Sequence, residues 1–452
     1  MIFQALFDCM DFTGWLLLGF VFLLIFDVVK NWRPPNFPPG PWAAPFVGNI
    51  LTPLDFKTME KLSKEYGPVF SVRKGSARLV FVSGLKMVKE ALVSQLDSFV
   101  DRPIVPLFHV TFKGLGIALS NGYLWKKQRK FANAHLRYFG EGQKSLEKYI
   151  EVESSFLCEA FNDEQGKPFN PHYILTNAVS NIISSVVFGH RFEYSDPSFR
   201  EVLELDNEAV ILSGSLRTQL FDAFPGLMQH LPGPHQTVHT NYRKILVFLK
   251  KEIEKHREEW NPDDPRDYVD VYLSEMEKKK EDPQAGFNTE TLLVSTLDLI
   301  EAGTETTATT LRWALLFMLH YPEIQEKVQA EIDRVIGQSR QPTVADRPNL
   351  PYTDAVIHEV QRMGNIVPMG FPKMARNIYD DNPGISLLGF RGKVCKRMCL
   401  GEHLAKMELF VFFSVLLQRF TFSPVPGEMP KLEGVMGFTY SPEEFRFLAV
   451  PR

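Results

Sequence analysis

The sequence predicts a mainly α-helical protein with small β-sheets at its edge, preceded by one transmembrane helix. Residues 12–29 form an almost uninterrupted apolar run near the N-terminus. A proline-dense stretch follows, and beyond it most segments show helical rather than alternating periodicity. Together these features indicate an anchor, a spacer and one large helical body.

Composition narrows the class of protein. The chain has 452 residues, enough for a large buried core, and its 44% hydrophobic and 23% charged residues are ordinary for a globular protein. A net charge of -4 gives no general attraction for nucleic acid, so we expect no nucleic-acid partner. The four cysteines are too few and scattered for a disulfide framework, which favours a body facing the cytosol.

The apolar run fits a membrane span. Its eighteen residues, 12–29, carry one charge, Asp27, and as a helix would extend about 27 Å, close to the thickness of a bilayer's hydrocarbon core. Acidic rather than basic residues precede it, which argues against a cleaved signal peptide. Lys30 and Arg33 follow, so the body is expected in the cytosol. We interpret residues 1–30 as an anchor in membrane lipid; the alternative is a buried helix of a soluble protein.

The spacer and the body come next. Residues 31–49 contain six prolines, which prevent a helix and form a semi-rigid hinge. Residues 50–452 form the body, in which alternating apolar residues over 68–84 predict a hairpin. The remaining body is predicted to be helical over 86–96, 123–138, 142–162, 171–188, 198–214, 239–260, 267–280, 289–320, 322–337 and 352–363.

Residues 214–240 are apolar but rich in glycine and proline, too interrupted for a long helix. They form either a second membrane-touching surface or lid, or an ordinary loop packed on the body.

The helix predicted over 289–320 has a polar interruption, "AGTETT", at residues 302–307. Gly303 costs about 1 kcal/mol relative to alanine in such a position. A functional site explains the cost, because glycine leaves room for a flat group while Glu305 and Thr306 hold water and pass protons. The alternative is a solvated stripe whose threonine hydroxyls donate hydrogen bonds to backbone carbonyls of the preceding helical turn.

Two further pairs share helical faces. Glu359 and Arg362 are three residues apart and, taken alone, form an ordinary surface ion pair. Trp125 and Arg129 are four apart, so an indole N–H and a guanidinium could together bind a carboxylate. The lysines that flank this second pair form either a docking site for an acidic partner or a solvated face; they are Lys126, Lys127 and Lys130.

Cys395 and Cys399 lie in a short basic segment before an apolar helix. A zinc site would need about four ligands, and His403 supplies at most a third; a dithiol redox pair would have two intervening residues rather than three. A metal site with Cys399 as its single thiolate ligand agrees better with the sequence than either of these. The N-terminus of the following helix would stabilise the negative charge on its sulfur. Iron held by one thiolate is typical of oxygen-activating haem proteins, and Arg397 could pair with an acidic group of that cofactor.

These constellations, in this order, resemble the cytochrome P-450 superfamily of haem-thiolate monooxygenases. Anchor, hinge and body are similar to vertebrate microsomal family two, and in particular to its J subfamily of fatty-acid epoxygenases, over almost the whole chain. The resemblance implies the P-450 fold, haem b as cofactor and a location in the endoplasmic reticulum membrane. It also implies oxygen insertion from O2 into a small lipophilic substrate, first an arachidonate-like polyunsaturated fatty acid and then a xenobiotic. Electrons would come from NADPH through a flavoprotein reductase, with cytochrome b5 as a further partner.

The resemblance also implies roles for individual residues. Cys399 would be the axial thiolate and metal ligand, and Glu305 with Thr306 the acid–alcohol pair that relays protons. Ala302 and Gly303 would lie along the porphyrin, while Glu359 and Arg362 would be a structural pair supporting the haem-binding core. The contacts implied for the haem propionates are Trp125, Arg129 and Arg397, with Arg102 and Lys373 in similar positions.

The chain departs from the family pattern near the cysteine. In the motif FxxGxRxCxG, Gly392 replaces the phenylalanine and Cys395 the glycine. Arg362 and Cys399 are separated by 37 positions, about half the family's spacing, so a segment is missing between about 377 and 390. That segment would complete the network around Glu359 and Arg362, and without it we expect buried charge and weak haem retention. The alternative function is a haem-deficient, catalytically silent variant acting as a membrane-bound binding or interaction protein.

Overall fold

The computed structural model describes residues 11–141, 146–374, 385–389 and 396–452, of which 137–141 and 385–389 are described as backbone only. The chain divides into two compact units: Met1–Pro103, Gln219–His230 and Met369–Lys396 form the first, and Ile104–Thr218, Leu231–Pro368 and Arg397–Arg452 the second. The α-helices are α1 (Phe12–Lys30), α2 (Phe56–Tyr66), α3 (Leu85–Lys89), α4 (Pro106–Phe112), α5 (Gly122–Glu141), α6 (Leu146–Asp163), α7 (His172–Phe188), α8 (Pro197–Ser213), α9 (Leu216–Ala223), α10 (Pro225–Met228), α11 (Pro234–Glu259), α12 (Tyr268–Lys278), α13 (Thr289–His320), α14 (Pro322–Val335), α15 (Pro351–Gly364) and α16 (Glu402–Arg419). The strands are β1 (Val69–Lys74), β2 (Ala77–Val82), β3 (Lys373–Met374), β4 (Ile385–Gly389), β5 (Phe420–Pro424), β6 (Gly434–Met436), β7 (Tyr440–Pro442) and β8 (Phe447–Pro451).

Helix α1 matches the predicted span. It is 19 residues long, begins where the Asp11 carboxylate accepts a hydrogen bond from the Gly14 N–H, and none of its residues is buried. Its length and composition are those of a bilayer-crossing helix, so α1 is a candidate membrane anchor.

The first unit is built on a four-stranded sheet of order β1-β2-β4-β3. Strands β1 and β2 form the predicted hairpin, and β4 runs parallel to β2. Phe70 and Phe81 stack across the hairpin with their ring centroids 5.2 Å apart, over a core that includes Met59 of α2. The proline-rich segment is tied to this sheet, because the Ser71 N–H donates to the Pro39 carbonyl at 2.7 Å.

The second unit is organised around α13, whose bounds match the predicted 289–320. The Asn288 side chain accepts from the Thr291 N–H at the start of the helix, and Pro322 opens the next one. Helices α7, α11, α15 and α16 all pack against α13. Packing against these four helices explains why a helix that is apolar on most sides is stable at the centre of the unit.

Two local predictions need adjustment. The helix predicted over 86–96 is shorter, since α3 ends at Lys89 and a π-helical turn, Glu90–Ser94, replaces its second half. The interrupted segment 214–240 contains the short helices α9 and α10, and α11 begins at Pro234, earlier than the predicted residue 239 because proline is well tolerated in a first helical turn. Before α11 begins at Pro234, the segment holds only short helices, as predicted.

One buried ion pair joins α11 to the start of α12. His256 Nε2 lies 3.0 Å from Asp267 Oδ2, and both side chains are buried. Burial lowers the pKa of His256, but the hydrogen bond and the charge of Asp267 outweigh it and raise that pKa to about 9. Because the folded pKa lies above the unfolded value of about 6.5, the pair stabilises the fold fully below pH 6.5, and that stabilisation is lost as pH rises through about 9.

We predict that His256→Gln lowers the free energy of unfolding by about 1–3 kcal/mol at pH 6, as expected for a hydrogen bond to a charged group. The deficit should shrink above pH 9, because the wild-type imidazole is then neutral. Unfolding followed by circular dichroism at both pH values measures it. His358→Gln is the matched control, since His358 is 54% exposed and 3.7 Å from Asp354. A deficit that is independent of pH would contradict the prediction.

Candidate functional site

Helix α13 carries one accessible stripe in an otherwise buried helix. Between Thr291 and Leu319, all of it described, the residues with accessible surface are Leu293, Asp298, Glu301, Ala302, Gly303, Glu305 and Thr306. Five of these repeat at helical spacing along one side, and we call them the α13 stripe: Asp298, Glu301, Ala302, Glu305 and Thr306. The predicted polar interruption therefore lies on the side of α13 that its neighbours leave accessible.

Gly303 lies beside the stripe and has a packing role. A Cβ atom at this position would lie 3.0 Å from Cγ1 of Ile183 on α7, tighter than most real contacts. Close approach of α7 therefore accounts for this glycine, and its predicted contact with a flat cofactor stays a prediction. Ala302, in contrast, is exposed on the stripe.

The Glu305 carboxylate is surrounded by hydroxyl groups. Its Oε1 accepts hydrogen bonds from Thr439 at 2.5 Å, Thr309 at 2.9 Å and Ser441 at 3.4 Å. Burial raises the pKa of Glu305, and these hydrogen bonds together with the charge of Arg312 oppose the rise. Sequence reasoning identified Glu305 but not its partners, two of which come from the distant β6–β7 hairpin.

The Thr306 hydroxyl donates to the Ala302 carbonyl at 2.8 Å, and the Thr310 hydroxyl donates in the same way to Thr306. The back-bonded arrangement that we considered as an alternative therefore occurs. It leaves the lone pairs of the Thr306 oxygen free, so this side chain can accept a hydrogen bond from a ligand on the stripe.

Cys399 is a free and exposed cysteine three residues before α16. Desolvation of its sulfur raises the pKa of the thiol, and the backbone N–H of Gly401 opposes that rise. Among the residues that the structure describes, no group of three or more His, Cys, Asp and Glu side chains could hold a metal ion; Cys395 lies outside them.

The basic and aromatic residues predicted around this cysteine do come together. Arg397 stacks over the Trp125 ring with 4.2 Å between the guanidinium carbon and the ring centroid, and Arg129 donates to the Met398 carbonyl at 2.5 Å. Trp125 and Arg129 border an open pocket of about 400 Å³, lined by Trp125, Lys126, Arg129, Lys130, Asn133, Met398 and Cys399. A thiol that shares a pocket with an indole and a guanidinium, with a second guanidinium stacked on that indole, fits a haem with acidic substituents.

Arg102 and Lys373 belong to the first unit. Arg102 donates to the Pro372 carbonyl at 2.7 Å and stacks on the ring of Phe371, while Lys373 is a buried residue of strand β3. Their predicted contact with a haem propionate stays a prediction.

The Glu359–Arg362 pair forms, but its surroundings differ from the expectation. Two hydrogen bonds of 2.7 and 2.6 Å join the side chains, which are 54% and 69% exposed. The expectation of an incompletely paired buried charge was wrong, because the pair lies on the solvent side of α15, where water solvates both groups. Gly392, Cys395 and most of the shortened segment lie outside the described residues.

The loop before α5 connects the stripe to the cysteine segment. Asp298 accepts from the N–H groups of Ile117 at 2.6 Å and Ala118 at 3.0 Å, and burial raises the pKa of Asp298 to about 6 against these bonds. Arg397 donates to the carbonyls of Ala118 and Ser120 at 3.2 and 2.6 Å. Residues 117–120 are thus held from both sides.

Gly116 makes this arrangement possible, and its replacement is the test. Gly116 has φ +78° and a Cβ there would lie 2.3 Å from Asp298 Oδ2, so we predict that Gly116→Ala lowers the free energy of unfolding by about 1–3 kcal/mol more than Gly114→Ala. Gly114 is the matched control because it has φ +71° but nothing closer than 3.8 Å. Thermal unfolding and Trp125 fluorescence measure the effect; equal losses would mean that Asp298 does not constrain the loop.

The chain is similar to several known proteins. The cytochrome P450 family model matches residues 38–380 and 395–449. Cytochrome P450 2J2 of Homo sapiens is 46% identical, covering 97% of this chain and 96% of that protein, and cytochrome P450 2J5 of Mus musculus is 45% identical, covering 95% and 94%. Cytochrome P450 2B4 of Oryctolagus cuniculus is 37% identical, covering 97% and 100%.

The same comparison locates the difference from these relatives. The alignment with 2J2 extends over 482 positions, 30 more than the 452 residues of this chain, so at least 30 positions of that relative face gaps here. The family match is interrupted at residues 381–394, within the region between Arg362 and Cys399. With a family match over most of its length and relatives above 40% identity, the chain belongs to the cytochrome P450 family of haem-thiolate monooxygenases.

Proposed function

We propose that this chain is a membrane-anchored monooxygenase that inserts one oxygen atom from O2 into a lipophilic substrate lying against the α13 stripe. The observation that carries the proposal is the accessible stripe, with Glu305 and Thr306 on it, in the same unit as the free thiol of Cys399. Substrate, oxygen and a thiolate-bound cofactor need such an accessible wall inside a buried core.

Haem b is the cofactor that these residues suit. Cys399 would ligate its iron, and Trp125, Arg129 and Arg397 would hold its acidic substituents. When bound, a thiolate-ligated haem supplies the activation of O2.

The protein's own contribution is the movement of protons. The Glu305 carboxyl, whose raised pKa favours a bound proton, can exchange that proton with the hydroxyl groups of Thr309, Thr439 and Ser441. Thr306 donates to Ala302 and can accept a hydrogen bond from a water on the stripe, which orients that water. Together they would deliver protons to the substrate side of α13 without exposing it to bulk solvent.

The finer assignments follow from the family resemblance. An arachidonate-like polyunsaturated fatty acid is the first substrate to test, and a xenobiotic the second. NADPH would supply electrons through a flavoprotein reductase docked on Lys126, Lys127 and Lys130, with cytochrome b5 as an additional donor. The body would face the cytosol from the endoplasmic reticulum membrane, since Lys30 follows the anchor on that side.

The gap between Arg362 and Cys399 favours a second candidate function, a haem-deficient variant that only binds membrane and partners. Loss of the segment that would cover the exposed Glu359–Arg362 pair supports it. Haem content per chain separates the two candidates, because a monooxygenase must hold one haem and the silent variant none.

We predict that the purified chain binds haem, that its reduced CO complex shows a thiolate-type Soret band, and that NADPH with reductase converts arachidonate to epoxides. Cys399→Ser should abolish the band and the turnover. Cys158→Ser is the control, since burial raises the pKa of that thiol to about 12 and keeps it protonated. If the wild-type protein is purified without haem and forms no oxygenated product, the catalytic proposal is contradicted and the silent variant is favoured.

The Glu359–Arg362 pair gives a separate prediction. Because both side chains are exposed, Glu359→Gln should change the free energy of unfolding little, while haem content falls if the pair supports the haem-binding core. Haem content by pyridine haemochrome and unfolding by circular dichroism measure the two effects. Glu428→Gln, which breaks an exposed pair with Arg446, is the control and should leave haem content unchanged. Unchanged haem content in Glu359→Gln would mean that the pair does not support the haem-binding core.

A further inference from the structure

The last turn of α1 is bonded to the sheet of the first unit. Asp27 Oδ2 accepts a hydrogen bond from the Phe46 N–H at 2.8 Å and lies 3.4 Å from both Nη atoms of Arg73 on β1. Its Oδ1 accepts a hydrogen bond from the Asn31 side chain at 2.8 Å. Both oxygens of this carboxylate therefore have partners, and those of Oδ2 come from the hinge and from the sheet.

The Asp27–Arg73 ion pair is shielded from water. The side chain of Asp27 is 13% exposed and that of Arg73 is 9% exposed, so solvent screens their attraction less than it screens a surface pair. Asp27 is also the one charged residue of the apolar run 12–29. A carboxylate in or beside the hydrocarbon of a bilayer is unfavourable unless a cation accompanies it. Arg73 supplies that cation from the body of the protein.

Further hydrogen bonds fix the hinge between α1 and the sheet. Arg33 donates to the carbonyls of Gly40 and Pro41, at 2.8 Å each. Arg78 of β2 donates to the Trp32 carbonyl at 3.2 Å. The first part of the hinge is therefore folded back on itself and bonded to the hairpin, which connects α1 to the sheet through several independent contacts.

The backbone of Phe46 has an unusual conformation at this junction. Its φ angle is +59°, a region that bulky residues rarely adopt, and its side chain is 40% exposed, so burial in a core does not compensate for the strain. The hydrogen bond from its N–H to Asp27 holds this conformation. Gly48, with φ +65°, allows the same segment to approach β1, since a Cβ atom there would lie 2.3 Å from the Arg73 carbonyl oxygen.

Exposed aromatic side chains surround the junction, and we call three of them the collar: Trp32, Trp42 and Phe46. Trp32 is 73% exposed and Trp42 is 78% exposed. The two tryptophans lie near each other along the folded hinge, because Trp32 directly precedes Arg33 and Trp42 directly follows Pro41. Indole rings favour the region of a bilayer where headgroups meet acyl chains.

The collar is continuous with α1, and this continuity indicates lipid as its partner. Residues 12–26, the part of the run before Asp27, extend about 22 Å as a helix, which is shorter than the roughly 30 Å of a bilayer's hydrocarbon core. A short span draws its flanking residues into the interface. The flanking residues here are those of the collar, since Phe46 is bonded to Asp27 itself.

We propose that the Asp27–Arg73 pair fixes α1 to the first unit as one rigid body and thereby places the collar in the headgroup region of a phospholipid bilayer. The inference rests on the proposed function, because it takes α1 as the membrane anchor. It goes beyond that function by assigning the orientation of the first unit on the membrane to one ion pair and by naming the side chains that contact lipid.

The first test measures where the Trp42 indole lies. The full-length chain is placed in phosphatidylcholine nanodiscs whose lipids carry bromine, a contact quencher of tryptophan fluorescence, near either the headgroup end or the methyl end of an acyl chain. The Trp42 signal is the difference between wild type and Trp42→Phe, so the other tryptophans cancel. We expect the shallow bromine to quench this signal at least twofold more than the deep one. A Trp42 signal that neither lipid quenches overturns the proposal, including the case in which a protein partner covers the collar.

The second test measures the ion pair by hydrogen exchange in nanodiscs without bromine. The Phe46 amide should exchange at least tenfold faster in Asp27→Ala and in Arg73→Gln than in wild type, and both variants should lose at least half of the shallow quenching of Trp42. Asp55→Ala is the matched control. Asp55 also accepts two hydrogen bonds, from the N–H and hydroxyl of Thr58 at 2.8 and 2.7 Å, but both lie at the start of α2. Equal exchange in wild type and Asp27→Ala, or an equal increase in Asp55→Ala, overturns the proposal.

Two features keep the result interpretable. Asp27→Ala removes a charge from the apolar run, so α1 should enter the bilayer at least as readily as in wild type; if Arg73→Gln does not fold, Asp27→Ala decides. Neither test requires haem or turnover. A chain that oxygenates its substrate but leaves Trp42 unquenched contradicts only this inference. A chain with the expected quenching and exchange but no oxygenated product contradicts only the proposed monooxygenase.

Discussion

The site depends on the hydrogen bonds that fix the backbone of residues 117–120. Asp298, on α13, accepts hydrogen bonds from two backbone N–H groups of this loop. Arg397, in the cysteine segment, donates hydrogen bonds to two of its carbonyls. The loop leads directly into α5, which carries Trp125 and Arg129. Loss of either set of hydrogen bonds would therefore move Trp125 and Arg129 relative to Cys399, because this short stretch of backbone positions the start of α5.

Much of this architecture could be predicted from sequence, where the signal is local. Helix α13 was predicted with its correct bounds from a long, mostly apolar segment without proline, and the structure shows Asn288 and Pro322 at its two ends. Trp125 and Arg129 were grouped correctly because their spacing places them on one face. In each case the information lies within a few residues of the feature.

Non-local contacts account for what sequence reasoning missed. Ser441 lies 136 residues from Glu305, and no periodicity in either segment indicates that they meet. The error over Glu359 and Arg362 has a related cause: their pairing is local and was predicted, but their exposure depends on which distant segments cover α15, and that is not encoded in the spacing.

The carboxyls of the stripe divide the site into two electrostatic regions. Glu305 receives hydroxyl donors and the charge of Arg312, so it can gain and lose a proton without a ligand. Glu301 has one hydroxyl donor from Tyr242, and its pKa is raised to about 7 by burial and by neighbouring carboxyls. The first region is therefore complete in itself and suited to proton transfer. The second has a single hydroxyl donor, so burial and the repulsion between its carboxyls favour a bound proton there.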